Sequence, residues 1–244
     1  MKTLIVIPAR MASIRFPNKP MALIAKKPMI QRVWEKAISS KLGDVIVACC
    51  DTEVRDLIMS LGGKVQMTDP NLPSGTDRVF YAIQNNNIIN QYESIINLQG
   101  DMPLINEKDI VNVNFPLEQG FDIGTLATNF KNQTELKNKN ITKVQLEWIK
   151  KGSLGKAIDF NKNSKFLKEK NLYHHVGIYS FSFDTLKKFV SLPVSQNEEN
   201  RELEQMRALD FNMSIGVGYV NNVPISVDTK EDLNEVENLI NNYE

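Results

Sequence analysis

Three cations and a serine crowd one short segment near the start of the chain. Arg10, Ser13, Arg15 and Lys19 lie in Ile7-Pro-Ala-Arg10-Met-Ala-Ser13-Ile-Arg15-Phe-Pro17-Asn-Lys19-Pro20, directly after the apolar run Leu4–Ile7. Guanidinium forks match phosphate oxygens in pairs, an ammonium adds a compact charge, and loop amides add neutral donors, so this segment suits a triphosphate. A solvated basic loop is the ordinary alternative; the position at the end of a buried strand favours the anion site. The segment lacks the glycines and the Lys-Ser/Thr pair of a Walker loop, which disfavours an ATPase of that type.

Further polar segments follow. Ser74-Gly75-Thr76-Asp77-Arg78 offers hydroxyls, small residues and one cation, and reads equally as a helix start capped by Ser74 or Thr76. In Gln99-Gly100-Asp101, Gly100 lets the backbone approach a ligand closely, and a carboxylate here can hold Mg²⁺. Taken alone, Asp101 reads as a turn residue and Asp228 as a helix cap. Glu204 and Gln205 fall on a predicted helix as a polar face, and His175 reads equally as a satisfied strand residue.

The elements that must position these groups alternate through the first half. Strands are predicted at Leu4–Ile7, Val45–Ala48, Lys64–Met67, Ser94–Leu98 and Ile123–Thr128. Helices are predicted over 29–41, from a cap at Asp51 or Thr52 to Leu61, over 76–87 and over 107–117. Such alternation predicts a mostly parallel sheet with helices on both faces, with ligands gathered outside the carboxyl ends of the strands. The second half reads as strands at Thr142–Glu147, Ser153–Phe160, Tyr173–Phe181 and Met213–Tyr219. Helices are expected at Asp184–Val190 and Glu198–Phe211, and a last one at Lys230–Asn242. We expect one domain over 1–244. Its parts are a nucleotide half over about 1–130, an acceptor and dimerisation subregion over about 131–222, and a returning turn with the last helix over 223–244.

Composition narrows the partners. The chain has 244 residues, 42% hydrophobic and 24% charged, with 29 Lys plus Arg against 29 Asp plus Glu. A net charge of zero argues against nucleic acid. The two cysteines, Cys49 and Cys50, are adjacent, which predicts a reducing, cytoplasmic setting. No apolar run approaches the roughly 18 residues of a membrane helix.

The first segment, with Lys27-Pro28-Met29-Ile30 after it, resembles the opening of the CMP-Kdo synthetases (3-deoxy-manno-octulosonate cytidylyltransferases). Ser74–Arg78, Asn97–Asp101, His175-Val-Gly-Ile-Tyr179, Leu203-Glu-Gln-Met-Arg207 and Val227–Leu233 match further segments of that family in the same order. The resemblance implies a three-layer α/β/α, Rossmann-like nucleotidyltransferase with a smaller mixed-β arm, cytoplasmic and homodimeric. Its activity would be Mg²⁺-dependent transfer of CMP from CTP to Kdo for lipopolysaccharide precursors. It assigns Arg10, Ser13, Arg15, Lys19, Ser74, Gly75, Thr76, Arg78 and Gln99 to the nucleotide, and Asp101 and Asp228 to the metal. Gln99, His175, Tyr179, Glu204 and Gln205 fall on the sugar-acid side. Among these, Arg10, Lys19, Asp101 and Asp228 carry the chemistry.

The chain departs from the family pattern in places. Met102 stands where a glutamate is usual, and no Tyr-Phe-Ser-Arg segment occurs between Trp148 and Phe166. Ser182 replaces an arginine after Tyr179, and Arg201 stands at a glutamate position. An 8-amino-Kdo or a nonulosonic acid therefore remains an alternative acceptor. A non-catalytic CTP-binding homologue is the reading from another class. Sugar 1-phosphate nucleotidyltransferases commonly open with a glycine-rich loop, which this chain lacks.

Overall fold

The strand Thr3–Ala9 (β1) is buried along its whole length, as a strand covered on both faces must be. It begins a computed structural model that describes residues 1–12, 16–85, 91–167, 170–221 and 224–243. Ser13 and Arg15, and residues 86–87 of the predicted third helix, lie outside the described residues. The chain divides into two compact units, Met1–Val111 with Pro224–Glu244, and Asn112–Val223.

In the first unit β1 is followed by a small hairpin, Leu23–Ile24 (β2) and Lys27–Pro28 (β3). Next come Met29–Ser39 (α1), Gly43–Cys49 (β4), Thr52–Ser60 (α2) and Lys64–Met67 (β5). Gly75–Asn85 (α3), Ser94–Asn97 (β6) and Glu107–Asn112 (α4) complete the run. The order β5-β4-β1-β6 is parallel throughout. All four strands therefore end on the same edge, the one the sequence assigned to ligands. Helix α1 buries Met29, Ile30, Val33 and Ala37, a stripe with helical spacing.

In the second unit Phe115–Glu118 (α5) precedes Ile123–Thr128 (β7) and Gln133–Lys137 (α6). The strands Lys143–Lys150 (β8), Leu154–Asn161 (β9) and Leu172–Phe181 (β10) follow. Phe183–Ser191 (α7), Gln196–Arg201 (α8), Gln205–Asp210 (α9) and Ile215–Tyr219 (β11) come last. Strand β7 pairs in parallel with β11 and antiparallel with β10, while β8 and β9 form an antiparallel ribbon. This sheet is mixed, and β7 belongs to it.

Two predicted helices are broken. The helix expected over 107–117 is α4 and α5, parted at Val113-Asn114; Pro116 has no N–H for the carbonyl one turn back and instead sits in the first turn of α5, where none is needed. The helix expected over 198–211 starts earlier and stops at Glu202, which adopts a left-handed conformation with φ 52°. A reciprocal capping box between Ser195 and Glu198 explains the early start.

The last helix, Lys230–Tyr243 (α10), returns to the first unit. Val236 and Ile240 on α10 join Val227, Phe16, Ile24 and Met29 in one buried cluster. That cluster sets the turn before α10 against the loop after β1.

Candidate active site

The edge where β1, β5 and β6 end gathers most of the predicted nucleotide-side groups. Lys19 stands at its centre, its ammonium 2.8 Å from Asp101 Oδ2 and 3.1 Å from Asp228 Oδ1. Burial works against the charged ammonium, yet Asp101 and then Asp228 outweigh it and hold the Lys19 pKa above the ordinary lysine value. Hydrogen bonds apart from Lys19 also tie the turns that carry the two acids. The Val227 N–H donates to the Asp101 carbonyl at 2.8 Å. The Asp232 carboxylate accepts the N–H groups of Asp228 and Thr229, while Thr229 Oγ1 accepts the Asp232 N–H.

These donors fit a hard divalent cation. Two carboxylates from separate turns converge on one positive charge, and Mg²⁺ takes one or two carboxylates with phosphate oxygens and water. Among the described residues no group of three or more His, Cys, Asp or Glu side chains could hold a metal, so other ligands would come from substrate or solvent. Met102, at the family's glutamate position, is buried apolar surface.

Ser74 fulfils its capping reading, its hydroxyl accepting the Asp77 N–H at 3.1 Å. The buried Thr76 takes part in a polar chain in which Asn97 Nδ2 donates to Thr76 Oγ1, and Gln99 Nε2 donates to Asn97 Oδ1 at 2.9 Å. The bond to Asn97 engages one Gln99 N–H and fixes the amide's orientation, with its carbonyl as an acceptor. A Cβ on Gly75 would lie 3.6 Å from Gln99 Oε1, and one on Gly100 would lie 3.0 Å from the Pro8 carbonyl, so Gly100 is the tighter requirement. Arg78 is buried, with Nη1 donating to Thr68 Oγ1 and to the Asp69 carbonyl. Its Nη2 is buried without a hydrogen-bond partner among the described residues. Arg10, directly after β1, is exposed.

Gln99 lies in the first unit, and the other sugar-side candidates lie in the second. His175 and Tyr179 are four residues apart in β10, where a regular strand would separate them by about 13 Å. A register shift between Val176 and Tyr179 brings their rings to 5.6 Å. Thr125 Oγ1 holds this bulge, 2.8 Å from the Ile178 carbonyl and 2.9 Å from His175 Nε2. Because a carbonyl only accepts, the Thr125 hydroxyl donates to it and accepts from His175 Nε2–H, leaving Nδ1 as an acceptor. Burial, with a smaller push from His174, takes the His175 pKa down to about 3, so the ring is neutral. Burial and then the charge of Glu204 raise the Tyr179 phenol above its ordinary value. Gln205 is buried at the start of α9. Arg201 is committed to Asp159 and the Phe160 carbonyl, and Arg207 forks onto Glu198 at 2.7 and 2.5 Å.

Sequence reasoning missed the groups that hold the others. Thr125 and Asn97 bond residues distant in sequence, and no local pattern marks them. Asp232 left a local sign, standing three residues after Thr229 at the spacing of a capping box. Asp51 left one sign, an acid directly after a strand ending on the same edge.

A family model described as cytidylyltransferase matches residues 4–215. The 3-deoxy-manno-octulosonate cytidylyltransferase of Paramagnetospirillum magneticum is 40% identical over 238 residues, covering 97% of each chain. Its counterpart in Parvibaculum lavamentivorans is 40% identical over 231 residues, covering 94% of this chain and 89% of that protein. The solved structure of a CMP:2-keto-3-deoxy-manno-octonic acid synthetase complexed with CTP is 31% identical, covers both chains fully and has a TM-score of 0.89.

Proposed function

The chain belongs to the 3-deoxy-manno-octulosonate cytidylyltransferase family, and on that premise we propose that it transfers CMP from CTP to Kdo and releases pyrophosphate. The observation that carries the reading is the convergence of Lys19, Asp101 and Asp228 at the carboxyl edge of a parallel sheet.

In the reaction the anomeric hydroxyl of the sugar acid attacks the α-phosphorus of CTP, the bond from the α-phosphorus to the bridging oxygen breaks, pyrophosphate leaves with the electron pair, and the hydroxyl proton passes to solvent. Catalysis of this kind rests on positioning and on neutralising charge. Arg10 and Lys19, with Ser13 and Arg15, hold the triphosphate and favour the leaving group. The Ser74–Arg78 segment takes the nucleoside, with Arg78 Nη2 supplied as a donor to base or ribose. Asp101 and Asp228 would hold Mg²⁺, which when bound neutralises charge on the phosphoryl oxygens. The Gln99 carbonyl, neutral His175, Tyr179, Glu204 and Gln205 supply the mixed donors and acceptors that a hydroxylated acid requires.

The three-layer arrangement, the homodimer and the lipopolysaccharide role belong to the same proposal, supported by family membership. The cytoplasmic assignment is supported by Cys49 and Cys50, both free thiols. Among the described residues no helix is long and apolar enough to cross a membrane.

The test is pyrophosphate release from CTP and Mg²⁺ with Kdo, its 8-amino analogue and N-acetylneuraminate as separate acceptors. Turnover with Kdo that falls at least about a hundredfold in Asp101→Asn is the expected result. Turnover with another acid alone would move the acceptor and keep the mechanism. CTP binding without turnover on any acid would remove the catalytic reading.

A further inference from the structure

Asp51 stands at the cap position of α2, in extended backbone with φ −109° and ψ 132°, yet its side chain makes no capping bond to that helix. An aspartate there ordinarily accepts an N–H from the first helical turn. Here Oδ2 instead accepts the N–H of Met11 at 2.8 Å, across 40 residues of sequence. The same oxygen receives the Cys50 thiol at 3.3 Å.

Met11 directly follows Arg10, and its carbonyl accepts the N–H of Asn18, the residue before Lys19, at 3.0 Å. One residue is thus clamped on both sides, by Asp51 at its nitrogen and by Asn18 at its oxygen. The clamp fixes where the chain leaves β1 with Arg10 and where it returns with Lys19. A carboxylate beside an anion-binding loop opposes the ligand electrostatically, and it forgoes a local cap as well. A local rule broken in this way points to a use elsewhere, and the bond to Met11 supplies it.

We propose that Asp51 is a positioning residue for the triphosphate loop. It acts through the Met11 amide, setting the spacing between Arg10 and Lys19 that CTP requires, and does not touch the nucleotide itself. The inference rests on the reading of that loop as the CTP phosphate site.

The experiment combines equilibrium titration of CTP, steady-state kinetics with Kdo and Mg²⁺, and thermal unfolding, on the unaltered chain, Asp51→Ala and Asp51→Asn. Asparagine keeps an oxygen that can accept the Met11 N–H; alanine does not. The expected result is CTP binding and kcat/KM weakened about tenfold or more in Asp51→Ala, mainly through KM. Most of the loss should return in Asp51→Asn, with both variants unfolding near the temperature of the unaltered chain. Unchanged CTP affinity in Asp51→Ala overturns the inference, as does a loss shared equally by both variants and matched by lowered unfolding temperatures. An unaltered chain that binds no CTP overturns the phosphate-site reading and this inference with it.

Discussion

The ammonium of Lys19 lies 2.8 Å from Asp101 Oδ2, although 82 residues separate them in sequence. With Asp228 on its other side, Lys19 neutralises two carboxylates that would otherwise repel one another. Lys19→Met should therefore destabilise the fold by about 1–2 kcal/mol, the pair being only partly shielded from water. It should also leave an oxygen site open to a divalent cation. We expect Mg²⁺ to raise the unfolding temperature of Lys19→Met more than that of the unaltered chain, measured by calorimetry without CTP. Equal Mg²⁺ responses would remove Asp101 and Asp228 as metal ligands.

Arg78 predicts a different outcome. Its Nη1 is occupied within the fold, while Nη2 is buried with no partner among the described residues. Leaving a buried donor unpaired costs about 1–3 kcal/mol, and more on a charged group, so a nucleotide that accepts from it recovers at least that order of energy. Arg78→Met should lower CTP affinity about tenfold or more, and Arg78→Lys should not restore it, because an ammonium cannot serve both places. The check is the rise in unfolding temperature on adding CTP, which should shrink in both variants. A rise as large as in the unaltered chain would show that Nη2 does not meet the nucleotide.

What the sequence made legible follows from the range of the forces involved. The buried run 4–7 and the stripe 30, 33, 37 declare β1 and α1 through local periodicity, and the loop after β1 declares its charge through composition. The expected helix over 198–211 ignored Glu202, whose left-handed backbone no residue type signalled. The meeting of Lys19 with Asp228 depends on Val236 and Ile240 packing on Phe16 and Ile24, a relation between opposite ends of the chain. Resemblance named Asp228 as a ligand; spacing alone gave only a helix cap.

Asp109 provides a test in pH. Burial raises its carboxyl from 3.8 to about 6, so the folded chain keeps a proton that the unfolded chain has lost in that window. The unfolded state then binds fewer protons, and stability falls as pH rises through the window and levels above it. At 1.36 kcal/mol per unit, the loss is about 3 kcal/mol at most. Asp109→Asn removes the charge at similar volume, and should be the more stable form near neutral pH by about 1–3 kcal/mol, with the gain vanishing below about pH 4. Urea unfolding of both forms across that range measures it. A gain that did not depend on pH would assign the effect to packing.

Thr125 links stability to the acceptor side proposed around His175 and Tyr179. Its hydroxyl holds both His175 Nε2 and the Ile178 carbonyl, on either side of the bulge that brings His175 to Tyr179. Valine has nearly the same shape and no hydroxyl, so Thr125→Val leaves a buried imidazole N–H unpaired, at a cost of about 1–3 kcal/mol. Loss of that anchor frees the His175 ring to turn and relaxes the bulge. The KM for Kdo should therefore rise severalfold while the KM for CTP holds, and Thr125→Ser, which keeps the hydroxyl, should return the KM for Kdo toward its original value. Kinetics with each substrate varied in turn separates the effects. A Thr125→Val chain that loses stability but keeps its KM for Kdo would make the bulge a matter of folding alone, and would take His175 and Tyr179 out of the acceptor site.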